Sequence, residues 1–395
     1  MSKSQSNIRQ SQKRILCFAR EAGGAEALAP VIKKLNRSYN VLLLAKDFAM
    51  NNFQQHNLEP ETYSTHSEES LTTLIQNRWD GLMPDVVLTS ATSLPWNDMT
   101  ERLLWLWARQ HSIPSIGVID QWQNYGLRFS GCSSDEYLAY LPTRITTLDE
   151  RARQEMINEG IPGELIVVTG QPALDALFDE RKAFTQSDRK AIREKIGAEQ
   201  DAFLVLFVSE AFQRDFSDSL GYTEASTLEF LIRTLSAIVA ETAMKLHLVV
   251  KYHPQNTPAD FAGIDFNQVQ SKFSISIMRQ EIQPRPLALT SDLVVGMTSV
   301  LLVESIILGL PTTSVTLNCK KDVDLVAIQV SALPWLRAEG EAAESISRLI
   351  KDADFRKRWL ERQKTLNVLP NATERVTQEV ENLLRVNDKL TNKSC

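Results

Sequence analysis

The sequence has few of the residues and patterns that build disulfide frameworks, metal centres or membrane spans. Its four cysteines lie far apart, without the short spacing of a zinc motif or a disulfide framework: Cys17, Cys132, Cys319 and Cys395. The five histidines are equally dispersed, so no metal centre is predicted. The longest apolar runs, at 203–208 and 299–310, are shorter than the ~20 residues of a membrane-spanning helix, so no stable span is predicted.

The charge and the first residues narrow the partners and the compartment. A formal net charge of −6 argues against a nucleic-acid binder, since such proteins usually carry a basic face. The first residues, MSKSQSNIRQSQKR, are polar and basic and lead into no apolar signal-peptide region. The sequence therefore predicts a cytoplasmic protein with reduced thiols. The basic segment 352–364 would suit peripheral contact with the inner membrane face, but in an acidic chain an ordinary solvent-exposed helix is favoured.

Strand patterns alternate with amphipathic segments in two successive series. The first series runs from RILCFA (14–19) to LIVVTG (165–170), and the second runs from FLVLFVS (203–209) to PTTSVTL (311–317). Near-continuous Val, Ile and Leu runs separated by helices are typical of parallel strands buried on both faces. The sequence therefore predicts an α/β protein with two Rossmann-like domains, in keeping with a length of 395 residues.

The predicted domain boundaries follow from the place where the pattern pauses. The segment 179–197 is charged and helical and contributes no strand, so we expect it to join the two domains. The predicted domains are 1–185 and 186–370, and residues 371–395 are predicted to form a helix and tail that return toward the first domain. Because ligands of such sheets bind outside the carboxyl ends of the strands, the post-strand loops are the candidate sites.

The first post-strand loop, REAGGAEALAP (20–30), combines paired glycines with the start of a helix. Gly23 and Gly24 let a ligand or a backbone come close, and a helix N-terminus attracts anions. The loop lacks the G-x-G-x-x-G and Walker patterns, and tight turns need glycine for steric reasons alone. Glu21 is the nearest ionisable group and is a candidate general base.

The loop KYHPQN (251–256) ends another apolar strand with His253 and Pro254. A histidine there can donate a hydrogen bond to a phosphate oxygen or to a leaving group, and the proline restricts where the ring can point. A single His-Pro pair is a weak motif, and an ordinary loop histidine is the alternative. Ser209, at the end of FLVLFVS, is assigned to the same phosphate-binding group.

The stretch 291–315 is the most informative part of the chain. A buried strand ends at Gly296, and Thr298 and Ser299 then open a helix whose hydroxyl and free N–H groups can hold a phosphate. Glu304 lies in this otherwise apolar helix, where an unpaired buried carboxylate is costly, so we expect it to face the ligand or a partner. An ordinary capped helix with a glutamate at its rim is the alternative.

The segment DQWQNYGLRF (120–129) also follows a buried strand and mixes acid, amide, aromatic and arginine side chains. Such a mixture suits a sugar, because aromatic faces contact the ring and polar groups bind its hydroxyls. Asp120, at the strand end, is the second candidate general base. Three further residues are predicted to contact an acceptor: Trp122, Tyr125 and Arg128.

Three stretches of the chain resemble the GT-B class of nucleotide-sugar enzymes. VTGQPALDAL (168–177) resembles the VTG-N-P-V-x-D-A-L segment of UDP-N-acetylglucosamine 2-epimerases. The stretch 296–311 is similar to the donor-binding strand–helix–strand of that class, and NATERVTQEVENLL (371–384) is similar to its closing helix. The resemblance implies two parallel sheets that face a central cleft, with the acceptor on the first domain and the nucleotide on the second.

Within that class, KYHP together with GMTSVLLVE is most similar to transferases that use cytidine nucleotides. These are bacterial sialyltransferases, Kdo transferases of capsule synthesis and teichoic-acid glycerophosphotransferases, and the resemblance implies that His253, Thr298 and Ser299 hold the donor phosphate. The Asp/Glu-Asp-Gly motif of the sialyltransferases is missing. His111 and Asp98 are poor counterparts of the catalytic histidine and acidic residues of epimerases, which favours a transferase.

The sequence therefore predicts a glycosyltransferase of polysaccharide or glycan synthesis. It would move a sugar from a nucleotide-activated donor, of CMP or CDP type rather than UDP type, to a hydroxyl acceptor, without a metal or other cofactor. Its leaving phosphate would be stabilised by His253, and Glu21 or Asp120 would deprotonate the acceptor. The alternatives are a sugar-nucleotide 2-epimerase or hydrolase of the same fold and a non-catalytic binding module. The donor sugar, the stereochemical outcome and the oligomeric state stay open.

Overall fold

The computed structural model describes residues 12–63, 68–211, 219–323 and 325–391, which fold into two compact units. Unit 1 comprises the chain up to Asp175 together with the residues from Val368 onward, and unit 2 comprises Ala176–Asn367. Each unit is an α/β domain around a parallel sheet, so the predicted fold class is confirmed. Among the described residues, no helix combines the length and the apolar character that crossing a membrane requires.

The sheet of unit 1 is built from short parallel strands. These are β1 (Arg14–Ala19), β2 (Asn40–Ala45), β3 (Glu61–Thr62), β4 (Val86–Ser90), β5 (Ser115–Val118), β6 (Arg144–Thr147) and β7 (Ile166–Val168). Their order across the sheet is β3-β2-β1-β4-β5-β6-β7. The central strands are buried on both faces: Leu16 and Phe18 pack into one core, and Ile15 and Cys17 pack into another. Burial raises the pKa of the Cys17 thiol well above its ordinary value, so this cysteine is an inert core residue.

Helices connect these strands and cover both faces of the sheet. They are α1 (Ala22–Leu35), α2 (Phe48–Gln55), α3 (Glu68–Arg78), α4 (Thr100–Gln110), α5 (Tyr125–Arg128) and α6 (Glu150–Asn158). Short 3-10 turns lie at Ser134–Glu136, Gly163–Leu165 and Pro172–Leu174. A strand, helix, parallel strand succession of this kind buries the apolar face of each helix on the sheet.

One predicted helix of unit 1 begins later than its sequence pattern indicates. The pattern predicts a helix from Thr146, whereas Thr146 and Thr147 belong to strand β6 and α6 begins at Glu150. The reason is the cap: the Asp149 carboxylate accepts a hydrogen bond from the backbone N–H of Ala152 at 2.7 Å, which starts the helix there.

Unit 2 repeats the arrangement with β8 (Phe203–Val208), β9 (Leu246–Lys251), β10 (Ser274–Met278), β11 (Leu293–Gly296), β12 (Thr312–Val315) and β13 (Trp335–Leu336). The strands lie in the order β10-β9-β8-β11-β12-β13, all parallel. This is the 3-2-1-4-5-6 order of dinucleotide-binding Rossmann domains. The core contains Phe207 and Val250 from the sheet and Leu231 and Leu235 from a long covering helix.

The helices of unit 2 are α7 (Asp175–Ala183), α8 (Gln186–Lys195), α9 (Glu224–Thr242), α10 (Phe266–Gln270), α11 (Pro284–Thr290), α12 (Val300–Ile307), α13 (Val326–Gln329), α14 (Glu339–Lys351) and α15 (Ala353–Gln363), with a 3-10 turn at Pro258–Phe261. The predicted first boundary at 185/186 therefore lies ten residues beyond the observed one. One reason is a contact made by α7, whose Glu180 pairs with Arg285 of α11 at 3.0 Å and so joins this helix to unit 2.

The last helix, α16 (Ala372–Thr391), belongs to unit 1. Its Val376 and Val380 are fully buried in the same core as strand β1. The Asp175 carboxylate accepts hydrogen bonds from the N–H groups of Ala372 and Thr373, at 2.9 and 2.7 Å. The segment 168–177 thus contains an acid, Asp175, that caps the closing helix, which is a structural role for this residue.

Candidate functional site

Each unit has one point where the strand order reverses and a crevice opens outside the carboxyl ends of the strands. In unit 1 this switch point lies between β1 and β4, and in unit 2 it lies between β8 and β11. Open parallel sheets bind their ligands at such points. The loops that follow these four strands therefore define two candidate sites, one in each unit.

At the switch point of unit 2, a carboxylate bridges the two post-strand loops. Glu210, just after β8, accepts a hydrogen bond from the backbone N–H of Thr298 at 2.7 Å and one from the Thr298 hydroxyl at 3.0 Å. The N–H groups of Met297 and Ser299 also stabilise the charged carboxylate. The Glu210 side chain therefore fills an anion-binding position at the start of α12, the place where a donor phosphate is predicted.

Burial and hydrogen bonding act on Glu210 in opposite directions. Burial raises the pKa of this carboxyl from 4.5 to about 7, and the hydrogen bonds from Thr298, Ser299 and Met297 only partly offset that effect. Among the described residues, Tyr222 lies close enough to Glu210 for the two groups to interact, and Glu224 is linked to it through Asn256. Near neutral pH, Glu210 therefore exchanges between its charged and neutral forms.

Asn256 ties the His-Pro loop to the backbone of Glu210. Its side-chain oxygen accepts hydrogen bonds from the Ser209 hydroxyl at 2.7 Å and from the backbone N–H of His253 at 2.9 Å. Its side-chain nitrogen donates to the Glu210 carbonyl at 3.2 Å. The structure thus brings together four residues around one strand edge: Ser209, Glu210, His253 and Asn256.

The His253 ring is oriented by its own loop. Its Nδ1 accepts a hydrogen bond from the backbone N–H of Gln255 at 3.3 Å, so the neutral ring carries its proton on Nε2. Among the residues that the structure describes, none accepts a hydrogen bond from that Nε2. Pro254, next to it, is exposed. A half-buried imidazole with a donor nitrogen of this kind suits a phosphate oxygen.

Two other predicted phosphate residues have local structural roles. Ser299 caps α12, since its hydroxyl oxygen accepts from the N–H of Leu301 at 3.3 Å. A side chain at Gly296 would lie 3.1 Å from the Leu302 side chain and 3.3 Å from the Val208 carbonyl. Glycine is therefore needed for close packing between β8, β11 and α12, whether or not a ligand is bound.

Glu304 does not join the Glu210 group. Its carboxylate forms a two-pronged ion pair with Arg285, with N–O distances of 2.7 and 3.2 Å, and Arg285 also contacts Glu180 at 3.0 Å. The hydrogen bond and charge of Glu304 raise the pKa of Arg285 further. These side chains line a cavity of about 620 Å³, with Phe184 and Leu289 among its apolar walls. The ion pair with Arg285 agrees with the expectation that Glu304 faces a ligand or a partner.

At the switch point of unit 1, the paired glycines allow close approach of three loops. A Cβ atom at Gly23 would lie 2.5 Å from Oδ2 of Asp120, and one at Gly24 would overlap the Ser90 side chain at the end of β4. Steric contacts therefore explain why glycine occupies both positions. They also bring Asp120, which follows β5, next to the loop that follows β1.

Asp120 is anchored from below by a buried arginine. Arg128 Nη1 donates to Asp120 Oδ1 at 2.9 Å, and the exposed fractions of the Arg128 and Asp120 side chains are 0% and 5%. The same guanidinium donates to the carbonyls of Ala91 and Gln123. Tyr125 is buried in the adjacent apolar core, so neither Tyr125 nor Arg128 presents a face to an acceptor in this conformation.

The remaining predicted residues of unit 1 lie nearer the surface. Glu21 is half-buried and lies 3.7 Å from Arg20, and its carboxylate caps no N–H group of α1. Trp122 is partly exposed, and its indole N–H donates to Asp149 at 2.7 Å. The acceptor role predicted for Trp122 stays a prediction. No cluster of three metal-ligating side chains occurs in the part of the chain that the structure describes.

The sequence reasoning missed Glu210 and did not single out Asn256. Glu210 directly follows FLVLFVS, so its position after a buried strand was a readable signal. Its contact with Thr298 spans 88 residues of sequence, and no local pattern indicates that pairing. Asn256 lies inside KYHPQN, but its role depends on the loop after β8.

Comparison with known proteins identifies the fold. One similar structure is the UDP-GlcNAc 2-epimerase of Neisseria meningitidis bound to UDP-GlcNAc. The superposition covers 93% of this chain and 100% of that one, with a TM-score of 0.64 and 14% sequence identity. A glycosyltransferase of Rickettsia africae matches 95% of this chain and 99% of its own, with a TM-score of 0.62 and 13% identity. Anabaena HepE, solved with UDP and glucose, matches 95% and 99%, with a TM-score of 0.57 and 14% identity.

At these identities the likeness establishes the fold alone. The chain has the GT-B type of fold, with two Rossmann-like domains, and it resembles UDP-GlcNAc 2-epimerases as well as glycosyltransferases in structure. Its sequence matches no protein-family model, and a search of curated proteins finds no significant relative.

Proposed function

We propose that this protein is a glycosyltransferase that takes a sugar from a nucleotide-activated donor in polysaccharide or glycan synthesis. The observation that carries the proposal is the anion-binding position at the switch point of unit 2, where the N–H groups of Met297, Thr298 and Ser299 converge on one carboxylate. The fold supports it, since proteins of this fold have been solved with UDP-GlcNAc or with UDP and glucose.

Donor binding in this proposal replaces one anion by another. A phosphate oxygen of the donor takes the N–H groups and the Thr298 hydroxyl that Glu210 now holds. The Glu210 carboxylate must therefore move away or become protonated, which its pKa of about 7 makes accessible near neutrality. His253 Nε2 donates to the same phosphate, and these donors stabilise the charge that develops when the glycosidic bond breaks.

The nucleoside and the acceptor have separate candidate positions. The cavity of about 620 Å³ beside Glu304 has the size and the mixed apolar and polar lining of a small-molecule pocket. We propose that it takes the nucleoside of a CMP- or CDP-activated donor. Unit 1 supplies the general base, Glu21 or Asp120, for the acceptor hydroxyl.

A thermal-shift titration with CMP, CDP, UDP and GDP tests the donor site. We expect one cytidine nucleotide to stabilise the wild type, and we expect the shift to be lost in His253→Ala. His56→Ala is the matched control, since it removes a partly exposed histidine that lies in unit 1, outside the proposed donor site. Stabilisation by UDP alone would reject the cytidine preference, and no shift with any nucleotide would reject the donor site.

A sugar-nucleotide 2-epimerase or hydrolase is the second candidate, because a UDP-GlcNAc 2-epimerase shares the fold over 93% of this chain. The two candidates differ in their need for an acceptor. An epimerase or hydrolase converts UDP-GlcNAc or a CMP-activated sugar completely without an added acceptor, whereas a transferase does so only slowly. Product analysis of these reactions by mass spectrometry and NMR separates them.

A further inference from the structure

The two candidate bases of unit 1 differ in how firmly they are held. Asp120 keeps 5% of its side-chain surface exposed and is fixed by an ion pair, whereas Glu21 keeps 28% exposed and lies 3.7 Å from its only ion-pair partner among the described residues. A general base must hold its oxygen within a few tenths of an ångström of a productive position. The anchoring therefore favours Asp120.

The ion pair leaves one oxygen of Asp120 without a partner. Arg128 Nη1 donates to Oδ1 of Asp120, and Nη2 makes no hydrogen bond with any described residue, so the contact is not two-pronged. No described residue donates to Oδ2 either. Oδ2 faces the turn after β1, where a Cβ atom at Gly23 would lie 2.5 Å from it. Glycine at that position keeps the free oxygen uncovered.

Arg128 is built into the scaffold in a way that suits positioning. It has no exposed surface, and its Nη1 and Nε also donate to the carbonyls of Ala91 after β4 and Gln123 after β5. It thus links the ends of β4 and β5 beside the switch point and holds one carboxylate there. A residue that contacted an acceptor would need exposed surface, which Arg128 lacks.

We propose that Arg128 is a positioning residue that holds Asp120 with Oδ2 free, and that Asp120 rather than Glu21 takes the acceptor proton. The inference rests on the proposed function. An acceptor hydroxyl oxygen bonds to the anomeric carbon while the bond from that carbon to the donor phosphate breaks, and the phosphate oxygen keeps the electron pair. The hydroxyl proton moves to Oδ2 and is later released to water.

Four variants test this assignment on the donor, CMP-, CDP- or UDP-activated, that the wild type turns over. Asp120→Asn lowers kcat by about 10²–10⁴-fold with little change in the donor KM, while Glu21→Gln changes kcat by less than about fivefold. Arg128→Lys lowers kcat about tenfold or more and moves the acidic limb of the pH–rate profile. Arg102→Lys is the matched control.

Arg102 is a suitable control because it is equally buried and lies in the same region. Among the described residues, its guanidinium donates to the backbone carbonyls of Asp98, Thr92 and Leu127 and to no carboxylate oxygen. If kcat falls equally in Arg128→Lys and Arg102→Lys and neither pH–rate profile changes, the role of Arg128 is structural only and the inference is overturned.

Gly23→Ala keeps the test decisive if Arg128→Lys does not fold. Alanine is favourable in a first helical turn, but its Cβ would lie 2.5 Å from Oδ2, so the Asp120 side chain must shift and we expect kcat to fall at least tenfold. Circular dichroism checks that the variant is folded before its turnover is compared. If turnover survives in Asp120→Asn or in Gly23→Ala, the role assigned to Asp120 is overturned and the proposed function still stands. Absence of turnover by the wild type with every donor overturns the proposed function and this role with it.

Discussion

The two units each place an acid at the switch point of a parallel sheet, but they hold the two acids differently. In unit 1, Asp120 is paired with the buried guanidinium of Arg128. In unit 2, Glu210 is held by a hydroxyl and backbone N–H groups, without a described cation in contact. An ion pair to a buried arginine fixes a carboxylate in place, whereas neutral donors at a helix start can be transferred to another anion.

This difference suits the two switch-point carboxylates, Asp120 and Glu210, to separate roles. A carboxylate that stays in place suits proton transfer, and a carboxylate that can be displaced suits a site that admits a phosphate. The pKa of Glu210, raised by burial to about 7, fits the second task, since both the charged and the neutral form are populated near neutral pH. The following variants change one side of this comparison at a time.

Removal of the cation in unit 1 should have the largest effect on stability. Arg128→Met leaves the nearly buried Asp120 carboxylate without its partner, which costs about 3–5 kcal/mol of unfolding free energy. Urea denaturation at pH 7 measures this loss. The double variant Arg128→Met/Asp120→Asn should recover part of it, and a double variant no more stable than Arg128→Met would show that the ion pair is not the cause.

The pH dependence of stability should report on Glu210 next. Its pKa is higher in the folded protein than the ordinary 4.5, so its contribution to stability is fully present below pH 4.5 and is lost as the pH rises through about 7. In Glu210→Gln this loss is absent. The variant should therefore gain up to about 3 kcal/mol relative to the wild type between pH 5 and pH 8.

Denaturation curves at pH 5, 6, 7 and 8 provide that measurement. Glu224→Gln is a useful control, since this buried acid is bonded to Asn256 rather than to the start of α12. Parallel pH profiles of the wild type and Glu210→Gln would contradict the raised pKa.

The core strands of both units could be predicted from the sequence, because a strand that is buried on both faces is a nearly continuous run of apolar residues. RILCFA and LVVG coincide with β1 and β11 residue for residue. Strands without that signature were missed: RITT of β6 contains two threonines and an arginine, and β3 and β13 have two residues each.

The candidate sites could be predicted only in part, because their geometry depends on contacts between loops that are far apart in the sequence. Position after a strand was enough to single out Asp120, Thr298 and Ser299. It could not indicate that Arg128 lies beneath Asp120, or that Glu210 occupies the helix start at Thr298. Such pairings follow from strand order, and a single sequence does not contain that order in any local pattern.

Nucleotide affinity should depend on pH in the wild type. If the donor phosphate and the Glu210 carboxylate compete for the same N–H groups, only molecules with a neutral or displaced Glu210 bind tightly. Because the pKa is about 7, the dissociation constant for CMP or CDP should rise about tenfold between pH 6 and pH 8. In Glu210→Gln the affinity should be higher at pH 8 and nearly independent of pH.

Isothermal titration calorimetry at the two pH values measures this effect. The nucleotide phosphate itself ionises near pH 6, which strengthens binding with rising pH and works against the expected trend. The wild type is therefore compared with Glu210→Gln at each pH. An equal dissociation constant for both proteins at pH 8 would show that Glu210 does not compete with the nucleotide.

The smallest expected effect concerns a single neutral hydrogen bond in unit 2. Thr298→Val removes the hydroxyl that donates to Glu210 at 3.0 Å and keeps the backbone N–H, so it should cost about 1 kcal/mol at pH 8. Because that hydroxyl favours the charged carboxylate, the pKa of Glu210 should rise above about 7. Carbon-detected NMR titration of the glutamate carboxyls measures the shift. Thr313→Val is the matched control, since its buried hydroxyl has no hydrogen-bond partner among the described residues and its loss should leave the titration of Glu210 unchanged.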